Sequence, residues 1–194
     1  MTDTLKRPIP PQARAKGRRT LLLLALVVIA PVIASYSAYY FFPREQRTNY
    51  GELLATPAPA LAGTRADGQP FALSQLKGKW VLAAGAPGAC DASCVGALHA
   101  TKQARTIQGR EMERVQRVWL VTDNVVPDPA LLAQHPDLMV AHVPRSAAAA
   151  LPGGADRIYL VDPHGNLDVA FPADPDIRKV AKDIERVLKA SRIG

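Results

Sequence analysis

The chain has 194 residues, of which 48% are hydrophobic, and its formal net charge is +7. This length suffices for one folded domain of ordinary size together with a targeting segment. Two cysteines are too few for a disulfide-rich scaffold, and the charge does not indicate nucleic-acid binding, because no basic stripe interleaved with aromatic residues is present.

The first predicted element is a membrane-spanning helix. Residues 21–42 read LLLLALVVIAPVIASYSAYYFF and carry no charge. At about 1.5 Å per residue, a helix of this length crosses a hydrocarbon layer of roughly 30 Å, and the aromatic cluster at its end is typical of a membrane interface. The alternative is a cleavable secretory signal, with Val32-Ile33-Ala34 as its small-residue cleavage pattern.

The distribution of charge predicts the orientation in the membrane. Residues 1–20 contain six basic residues against one acidic residue. The positive-inside rule therefore places this segment in the cytoplasm. We predict a single-pass protein of a bacterial inner membrane whose C-terminal domain lies in the periplasm, where disulfides form.

A tether and then a folded domain are predicted beyond the membrane. Residues 43–64 are polar and then proline-rich without apolar periodicity, so we expect an extended tether there. The domain over residues 65–194 begins with a hairpin, or a strand and turn, in DGQPFALSQLKG. Its core begins at Lys79 with KWVLAAGA, a continuous apolar run that is typical of a buried strand.

Helix and strand patterns alternate after this strand. A helix is predicted over residues 92–109, followed by a buried strand over residues 115–123. Asp128 and Pro129 are the predicted N-cap and first residue of a short helix. Further strands are predicted in LMVAHV and on both sides of the turn in IYLVDPHGNLDVAF.

The last predicted element is an amphipathic helix at the C-terminus. We expect Asp174 as its N-cap, Pro175 as its first residue and Asp183 on its polar face. The whole order of elements predicts an α/β domain with helices on both faces of a sheet.

The two cysteines form the candidate site. Cys90 follows the KWVLAAGA strand and Cys94 lies about one helical turn further along, so their sulfurs can converge at the edge where parallel strands end. A helix N-terminus favours the thiolate, which attacks disulfides and binds soft metal ions. Three interpretations remain open: a structural disulfide or an inert pair of thiols, a redox-active dithiol, and a pair of Cu(I) ligands.

Three stretches carry a resemblance to a known family: DGQPFALSQLKGKWVLAAGAPGACDASC, VWLVTDNVVPDPALLAQH and IYLVDPHGNL. They are similar to the Sco/SenC proteins, thioredoxin-fold copper chaperones and thiol oxidoreductases of cytochrome c oxidase assembly, which also carry one N-terminal membrane anchor. The resemblance covers residues 65–190. It implies a thioredoxin-like fold with a central mixed sheet, and Cys90 and Cys94 in the positions of the family's catalytic redox thiols and copper ligands.

The chain departs from the family pattern at several positions. Asp91 and Val95 follow the cysteines where the family has proline. The family's copper-binding histidine lies five residues before the tyrosine of the YLVDP stretch, and the corresponding residue here is Gly154. The usual third copper ligand is therefore missing, which favours redox chemistry or two-coordinate Cu(I) over stable Cu(II) binding.

No other histidine is clearly placed to substitute. His99 lies roughly 140° around the helix from Cys94, His135 is predicted in a loop and His164 in a turn far from the missing position. His142 ends a predicted strand and is the one candidate for the reactive edge, although a packing or surface role is favoured for it.

Three further residues have expected roles in the domain. Trp80 and Trp119 lie in strand-like runs and are expected in the core. Asp123 follows a buried strand, where it can cap a turn or accept a proton near the thiols, and the capping role is favoured.

Two functional hypotheses follow from these residues and from the resemblance. The first is a membrane-anchored periplasmic protein that assists cytochrome c oxidase assembly by thiol–disulfide exchange, Cu(I) transfer or both, through Cys90 and Cys94, with oxidase subunits or other assembly factors as partners. The second is a non-catalytic thioredoxin-fold scaffold whose cysteines form a structural disulfide.

Overall fold

The chain forms two compact units, Met1–Gln46 and Arg47–Gly194, in a computed structural model that describes residues 11–41 and 49–193. The first unit contains helix α1, Pro11–Phe41. Its segment Arg18–Ser37 is long and apolar enough to cross a membrane once.

Helix α1 also includes residues before the predicted membrane segment, which begins at Leu21. Residues 12–19 are mostly alanine, glutamine, lysine and arginine, which favour helix, and proline is tolerated at the first helical position. Phe42, the predicted last residue of the membrane segment, lies outside the described residues.

The second unit is built on one eight-stranded sheet. Its strands are β1 Glu52–Pro57, β2 Ala62–Arg65, β3 Pro70–Ala72, β4 Trp80–Ala86, β5 Val115–Val121, β6 Leu138–His142, β7 Ile158–Val161 and β8 Asn166–Phe171. They lie in the order β1-β8-β7-β4-β5-β6-β2-β3. Strands β4, β5 and β6 are mutually parallel and the other pairings are antiparallel, so the sheet is mixed.

Helices cover both faces of this sheet, as predicted. They are α2 Ala92–Ile107, α3 Pro129–Ala133, α4 Arg145–Ala149 and α5 Ile177–Ala190. The long helices α2 and α5 share one face, where they bury Leu82, Trp119 and Ile184. The other face is covered by α4 and by a 3-10 helix at Leu73–Leu76, over a core that includes Val81.

The apolar runs at β4 and β5 are continuous because both strands are buried on both faces. Alternate residues of β4 point to opposite cores: Leu82 faces α2 and α5, whereas Val81 and Ala83 face α4. Trp80 and Trp119 are both buried, which confirms their predicted place in the core.

Part of the segment that the sequence assigns to a tether belongs to the sheet. Strand β1 pairs antiparallel with β8 at one edge, and β2 pairs with β3 and β6 near the other. The apolar pattern of β1 is broken by a bulge between Leu53 and Thr56, where Ala55 has a φ of 47°. Because β1 lies at an edge, it also tolerates Pro57.

Helix α5 starts two residues later than predicted. The N-cap is Asp176, whose Oδ1 accepts hydrogen bonds from the backbone nitrogens of Arg178 and Lys179, at 3.0 and 3.2 Å. Asp174 and Pro175 precede the helix. The prediction of Asp174 as the N-cap is therefore wrong, because Asp176 is the residue whose carboxylate caps the backbone nitrogens of the first turn.

Asp183 is buried rather than exposed on the polar face of α5. Its Oδ2 accepts hydrogen bonds from the backbone nitrogens of Tyr50 and Gly51, at 2.7 and 3.0 Å. Its Oδ1 lies 3.1 Å from Nη1 of Arg186. The carboxylate therefore satisfies backbone donors just before β1 and ties that edge strand to α5.

A buried polar cluster, formed by Thr101, Arg117, His135 and Asp137, connects α2 with β5. The side chain of Arg117 is fully buried, and its Nη1 lies 3.0 Å from Oδ1 of Asp137. Its Nη2 donates to the carbonyl oxygen of Leu98 at 2.7 Å and to Oγ1 of Thr101 at 3.1 Å. A buried guanidinium needs such partners, and these contacts hold the middle of α2 against the sheet.

His135 is a buried member of this cluster, and its Nδ1 accepts a hydrogen bond from Nη2 of Arg117 at 3.4 Å. Burial lowers the pKa of His135, and the positive charges of Arg117 and Lys102 lower it further. The imidazole is therefore neutral at neutral pH. The sequence places this residue in a loop, which is correct, but does not indicate its burial.

The lowered pKa of His135 predicts loss of stability in mild acid. The unfolded chain protonates this residue below a pH of about 6.5, whereas the folded chain resists protonation. The contribution of His135 to the free energy of unfolding should therefore be fully present above a pH of about 6.5 and should be lost as the pH falls below that value. Urea unfolding of the full chain in detergent between pH 7.5 and 5.0 measures this change.

His135→Gln should show a smaller loss of stability over the same pH range, because glutamine does not titrate there. His164→Gln is the matched control, since His164 is exposed in the β7–β8 turn. If His135→Gln lost as much stability in acid as the parent protein, the pH dependence could not be assigned to His135.

Candidate redox site

The site is built where the parallel strand β4 passes into helix α2. Strand β4 ends at Ala86, whose carbonyl oxygen accepts hydrogen bonds from Nε1 of Trp119 and from the backbone nitrogen of Thr122. A tight turn follows, closed by the hydrogen bond from the backbone nitrogen of Cys90 to the carbonyl oxygen of Pro87, at 3.1 Å. This turn places Cys90 directly before the helix.

Asp91 is the N-cap of α2. Its Oδ1 accepts a hydrogen bond from the backbone nitrogen of Cys94 at 2.9 Å, which satisfies one of the free donors in the first turn. A proline at this position could not supply the capping oxygen. The aspartate therefore starts the helix immediately after Cys90 and positions Cys94 within the first turn.

Cys90 and Cys94 form a disulfide, and their Cα atoms are 5.1 Å apart. Cys94 is buried with 5% of its surface exposed, whereas Cys90 is half-buried. Cys90 has a φ of 42°, in the left-handed region that residues with a side chain seldom adopt. The two predicted site residues are thus brought together, and Cys90 is the more exposed of the two residues.

Asp123 fixes the turn that carries Cys90. Its Oδ1 accepts hydrogen bonds from the backbone nitrogens of Gly88 and Val125, at 2.9 and 3.2 Å. This is the capping role that the sequence favours. The contact also joins the loop after β5 to the loop after β4, so that the two loops frame the disulfide.

The histidines occupy separate places in the domain. Nδ1 of His142 donates to the carbonyl oxygen of Asp123 at 3.2 Å, which places His142 at the edge where β6 ends. His99 is exposed on α2, His135 belongs to the buried cluster and His164 is exposed in a turn. Within residues 11–41 and 49–193, no three or more His, Cys, Asp or Glu side chains are grouped to hold a metal ion.

Gly154 is held in a loop that precedes β7. Its φ is 88°, a conformation that residues with a side chain rarely adopt. Its carbonyl oxygen accepts a hydrogen bond from the hydroxyl of Tyr159, which also donates to the carbonyl oxygen of Pro152 at 2.8 Å. The backbone at this position therefore suits glycine and is fixed by the tyrosine of β7.

A cavity of about 310 Å³ lies beside the disulfide. Its lining includes Gly85, Cys94, the polar residues Asp91, Ser93 and Asp156, and the cation Arg157. Gly85 cannot carry a side chain, because a Cβ there would lie 2.7 Å from the carbonyl oxygen of Ala155. The cavity gives the buried Cys94 access to a space that a small group can enter.

An exposed apolar rim, formed by Val95, Val125 and Val126, accompanies the cysteines. These side chains are 42, 46 and 80% exposed, respectively. Val95 follows Cys94 on α2, and Val125 packs against Gly88 in the turn before Cys90. This rim was not predicted from the sequence, although the consecutive Val125 and Val126, which lie outside a strand-like run, are a signal for it.

Comparison with known proteins places these features in a family. Residues 80–191 match the family model of the transmembrane-like, thioredoxin-like, C-terminal domain, and residues 11–41 match that of the transmembrane-like, N-terminal domain. No curated protein sequence matches the chain. The N-terminal match and the apolar helix α1 both indicate a single-pass membrane protein.

Solved structures of Sco proteins share the fold. Yeast Sco1 with copper bound is 17% identical, with a TM-score of 0.60 over 72% of this chain and 96% of that one. Apo Sco1 from Thermus thermophilus is 21% identical, with a TM-score of 0.54 over 75% and 98% of the two chains. Bradyrhizobium japonicum ScoI with copper bound is 18% identical, with a TM-score of 0.52 over 68% and 99%.

These likenesses confirm the predicted thioredoxin-like fold and, at the level of the fold, the resemblance to Sco/SenC proteins. The match over residues 80–191 covers more than half of the sequence and includes both cysteines. The chain belongs to the transmembrane-like, thioredoxin-like family.

Proposed function

We propose that the chain is a membrane-anchored thiol–disulfide exchange protein that acts through Cys90 and Cys94. The observation that carries this proposal is the position of the disulfide, which joins a half-buried cysteine in a loop to a buried cysteine in the first turn of a helix. A disulfide that served only to staple the domain would contribute little here, because the sheet already buries two apolar cores.

The exchange reaction follows from the accessibility of the two sulfurs. A thiolate of a dithiol partner attacks Sγ of Cys90, the bond between the two cysteines breaks, and its electron pair passes to Sγ of Cys94. The second thiolate of the partner then attacks the partner's own sulfur in the mixed disulfide and releases Cys90. The partner loses two electrons and two protons, and this chain gains them.

Copper transfer is a second candidate for the reduced state. Sco structures of the same fold have been solved with copper bound. Two thiolates suit Cu(I), which accepts two sulfur ligands, and reduction would release both thiolates at one site. Gly154 stands where the Sco family has a histidine, so we propose transient two-coordinate Cu(I) as cargo rather than a resident Cu(II) ion.

The proposed biological setting is assembly of cytochrome c oxidase at a bacterial inner membrane. Its supports are the resemblance of the domain to Sco proteins and the match of residues 11–41 to a transmembrane-like domain. We propose a cytoplasmic segment over residues 1–20, an anchor over residues 21–42 and a periplasmic domain beyond it. Oxidase subunits or other assembly factors are the proposed partners.

The alternative is a non-catalytic scaffold with a structural disulfide. The exposed rim formed by Val95, Val125 and Val126 would also suit a protein that only docks. Reactivity of the disulfide separates the two functions, because a scaffold does not require reduction.

The topology can be tested with alkaline phosphatase fusions. Basic residues at the N-terminus should remain in the cytoplasm, so a fusion after Gly194 should be active and a fusion after Arg19 inactive. The reversed pattern would contradict the periplasmic assignment. Release of a soluble form beginning near Ser35 would identify the apolar segment as a cleaved signal.

The redox function predicts that the two reduced cysteines differ in their rates of alkylation. After reduction of the full chain in detergent, iodoacetamide should modify Cys90 at least about tenfold faster than Cys94, because the thiolate must be accessible to react. Mass spectrometry of peptides from the modified protein measures both rates. The matched variant Cys94→Ser should form a mixed disulfide with a reactive aromatic disulfide much faster than Cys90→Ser.

Equal and slow modification of both cysteines would contradict the exchange function. So would a disulfide that dithiothreitol reduces only after the domain unfolds. Either result would favour the scaffold.

The copper proposal predicts one Cu(I) per reduced chain. Anaerobic titration against a competing chelator should show one Cu(I) bound, and both Cys90→Ser and Cys94→Ser should abolish binding, because each removes one of two ligands. His142→Ala should bind nearly as the parent does, with His164→Ala as a control in an exposed turn.

Absence of Cu(I) binding by the reduced parent would exclude the copper function and leave exchange or scaffolding. A loss of affinity of about tenfold or more in His142→Ala would identify that histidine as a ligand. Tight Cu(II) binding would reveal a nitrogen ligand elsewhere in the chain.

A further inference from the structure

A groove of about 800 Å³ lies between the C-terminal end of α2 and helix α5. The lining of this α2–α5 groove includes the apolar residues Ile107, Ala181 and Leu188 and the cations Arg178, Lys182 and Lys189. Ile107 is 56% exposed, so part of the apolar lining is open to solvent. A groove that combines apolar and cationic side chains fits an amphiphile with a negatively charged head.

Helix α5 carries an excess of positive charge. Its residues Ile177–Ala190 include five cations and two acidic residues. One of the acidic residues, Asp183, is buried and is paired with Arg186, so its charge does not lie on the surface. The exposed side of α5 therefore attracts anions.

The acidic residues that line the groove are already paired. Oε2 of Glu111 lies 2.8 Å from Nη1 of Arg114, and Oε1 of Glu185 lies 2.5 Å from Nζ of Lys189. The hydrogen bond from Lys189 lowers the pKa of Glu185, and the charge of Lys182 contributes to the same shift. These carboxylates offset part of the positive charge and leave the groove cationic.

The chain enters the domain along the same helix. Nη1 of Arg186 donates a hydrogen bond to Oδ1 of Asn49. The hydroxyl of Tyr50 accepts a hydrogen bond from the backbone nitrogen of Asp176 at 3.2 Å, and Nζ of Lys179 lies 5.3 Å from the centre of the Tyr50 ring. The first described residues of the domain are thus fixed to α5.

The link between the anchor and this helix is short. Seven residues, 42–48, separate Phe41 at the end of α1 from Asn49. An extended chain advances at most about 3.6 Å per residue, so this link reaches no further than about 29 Å in any conformation. In a chain that is anchored through α1, this covalent limit keeps α5 within reach of the membrane surface. The anchor itself therefore brings an anionic partner to the groove.

We propose that the α2–α5 groove docks on anionic phospholipids of the membrane that anchors the chain. Arg178 and Lys182 bind the phosphates, and Ile107 enters the boundary between headgroups and acyl chains. Ile107 ends α2, whereas Cys94 lies in its first turn, roughly 20 Å away along the helix axis, so lipid in the groove does not occupy the disulfide. The inference rests on the proposed membrane anchor and not on the exchange reaction.

Quenching of tryptophan fluorescence by lipid tests this contact on the full chain in nanodiscs. Ile107→Trp places an indole in the groove, and the control Val126→Trp places one at the exposed rim beside the cysteines. The parent, whose Trp80 and Trp119 are buried, supplies the background. The nanodiscs contain phosphatidylcholine with brominated acyl chains, with or without unbrominated phosphatidylglycerol, and matched nanodiscs without bromine give the reference intensity.

Phosphatidylglycerol should bring the tryptophan at residue 107 into contact with the brominated chains. At low salt, its emission should fall at least about twofold, because an anionic surface attracts the cations of the groove. The emission of the tryptophan at residue 126 should hardly change. In nanodiscs of phosphatidylcholine alone, both tryptophans should be quenched only slightly.

Charge-removing variants and salt identify the attraction. In the Ile107→Trp chain, the pair Arg178→Gln and Lys182→Gln should reduce the quenching by at least about half. Salt at 1 M should do the same, because the Debye length falls to about 3 Å. The matched control removes the same charge from Arg145 in α4 and from Lys77 after the 3-10 helix, which lie on the other face of the sheet, and should leave the quenching unchanged.

Equal quenching of the two tryptophans, or quenching at residue 107 that does not require phosphatidylglycerol, would overturn the proposed docking. An equal effect of the Arg145 and Lys77 pair would overturn its assignment to the groove. Absence of quenching at residue 107 in a chain that stays in the nanodiscs would overturn the lipid contact, favour a protein partner for the groove and leave the anchor intact. Separation of the chain from the nanodiscs on gel filtration would overturn the anchor and, with it, the inference.

Discussion

Gly88 has no room for a side chain, because a Cβ there would lie 2.0 Å from the carbonyl oxygen of Val125. This close approach lets the loop after β4 lie directly against the loop after β5. The carboxylate of Asp123 then reaches the backbone nitrogen of Gly88. The position of Cys90, two residues later, depends on this contact between two backbones that are adjacent in the sheet but distant in the chain.

The second cysteine is positioned from the opposite direction, by the anchoring of α2. Asp91 determines where the helix begins, and the fully buried Arg117 holds its middle through the carbonyl oxygen of Leu98 and the hydroxyl of Thr101. Each cysteine is thus held by a separate set of polar contacts. The disulfide joins two positions that the fold already brings together. Its reduction should therefore change the reactivity of the two cysteines without removing the contacts that stabilise the domain.

Local patterns were sufficient to predict much of this fold from the sequence. The runs at β4 and β5 are apolar on both faces, Asp128 and Pro129 mark the start of α3, and a turn separates β7 from β8, so each of these elements is encoded by neighbouring residues. The spacing of Cys90 and Cys94 likewise predicted that the two sulfurs could meet.

Contacts between segments that are distant in the chain could not be predicted from such local patterns. Strand β1 is interrupted by a bulge at Ala55, and its partner is β8, more than a hundred residues away in the chain. Asp183 was expected on the polar face of the last helix, yet it is buried by partners from another element. Arg117 lies in a strand that was predicted to be buried, but the sequence did not indicate which groups neutralise its charge there. The cavity beside Cys94 also depends on a distant segment, since Asp156 and Arg157 contribute to its lining.

The loop at Gly154 limits how this domain could be converted into a three-ligand copper protein. A histidine substituted there would have to adopt a φ near 88°, which is sterically costly for any residue with a Cβ. Relaxing that backbone would also disturb the carbonyl oxygen that the Tyr159 hydroxyl holds. A designer who wanted the missing ligand would therefore have to rebuild the loop before β7, for example by lengthening it, because a single substitution leaves the imidazole on a backbone that does not accept it.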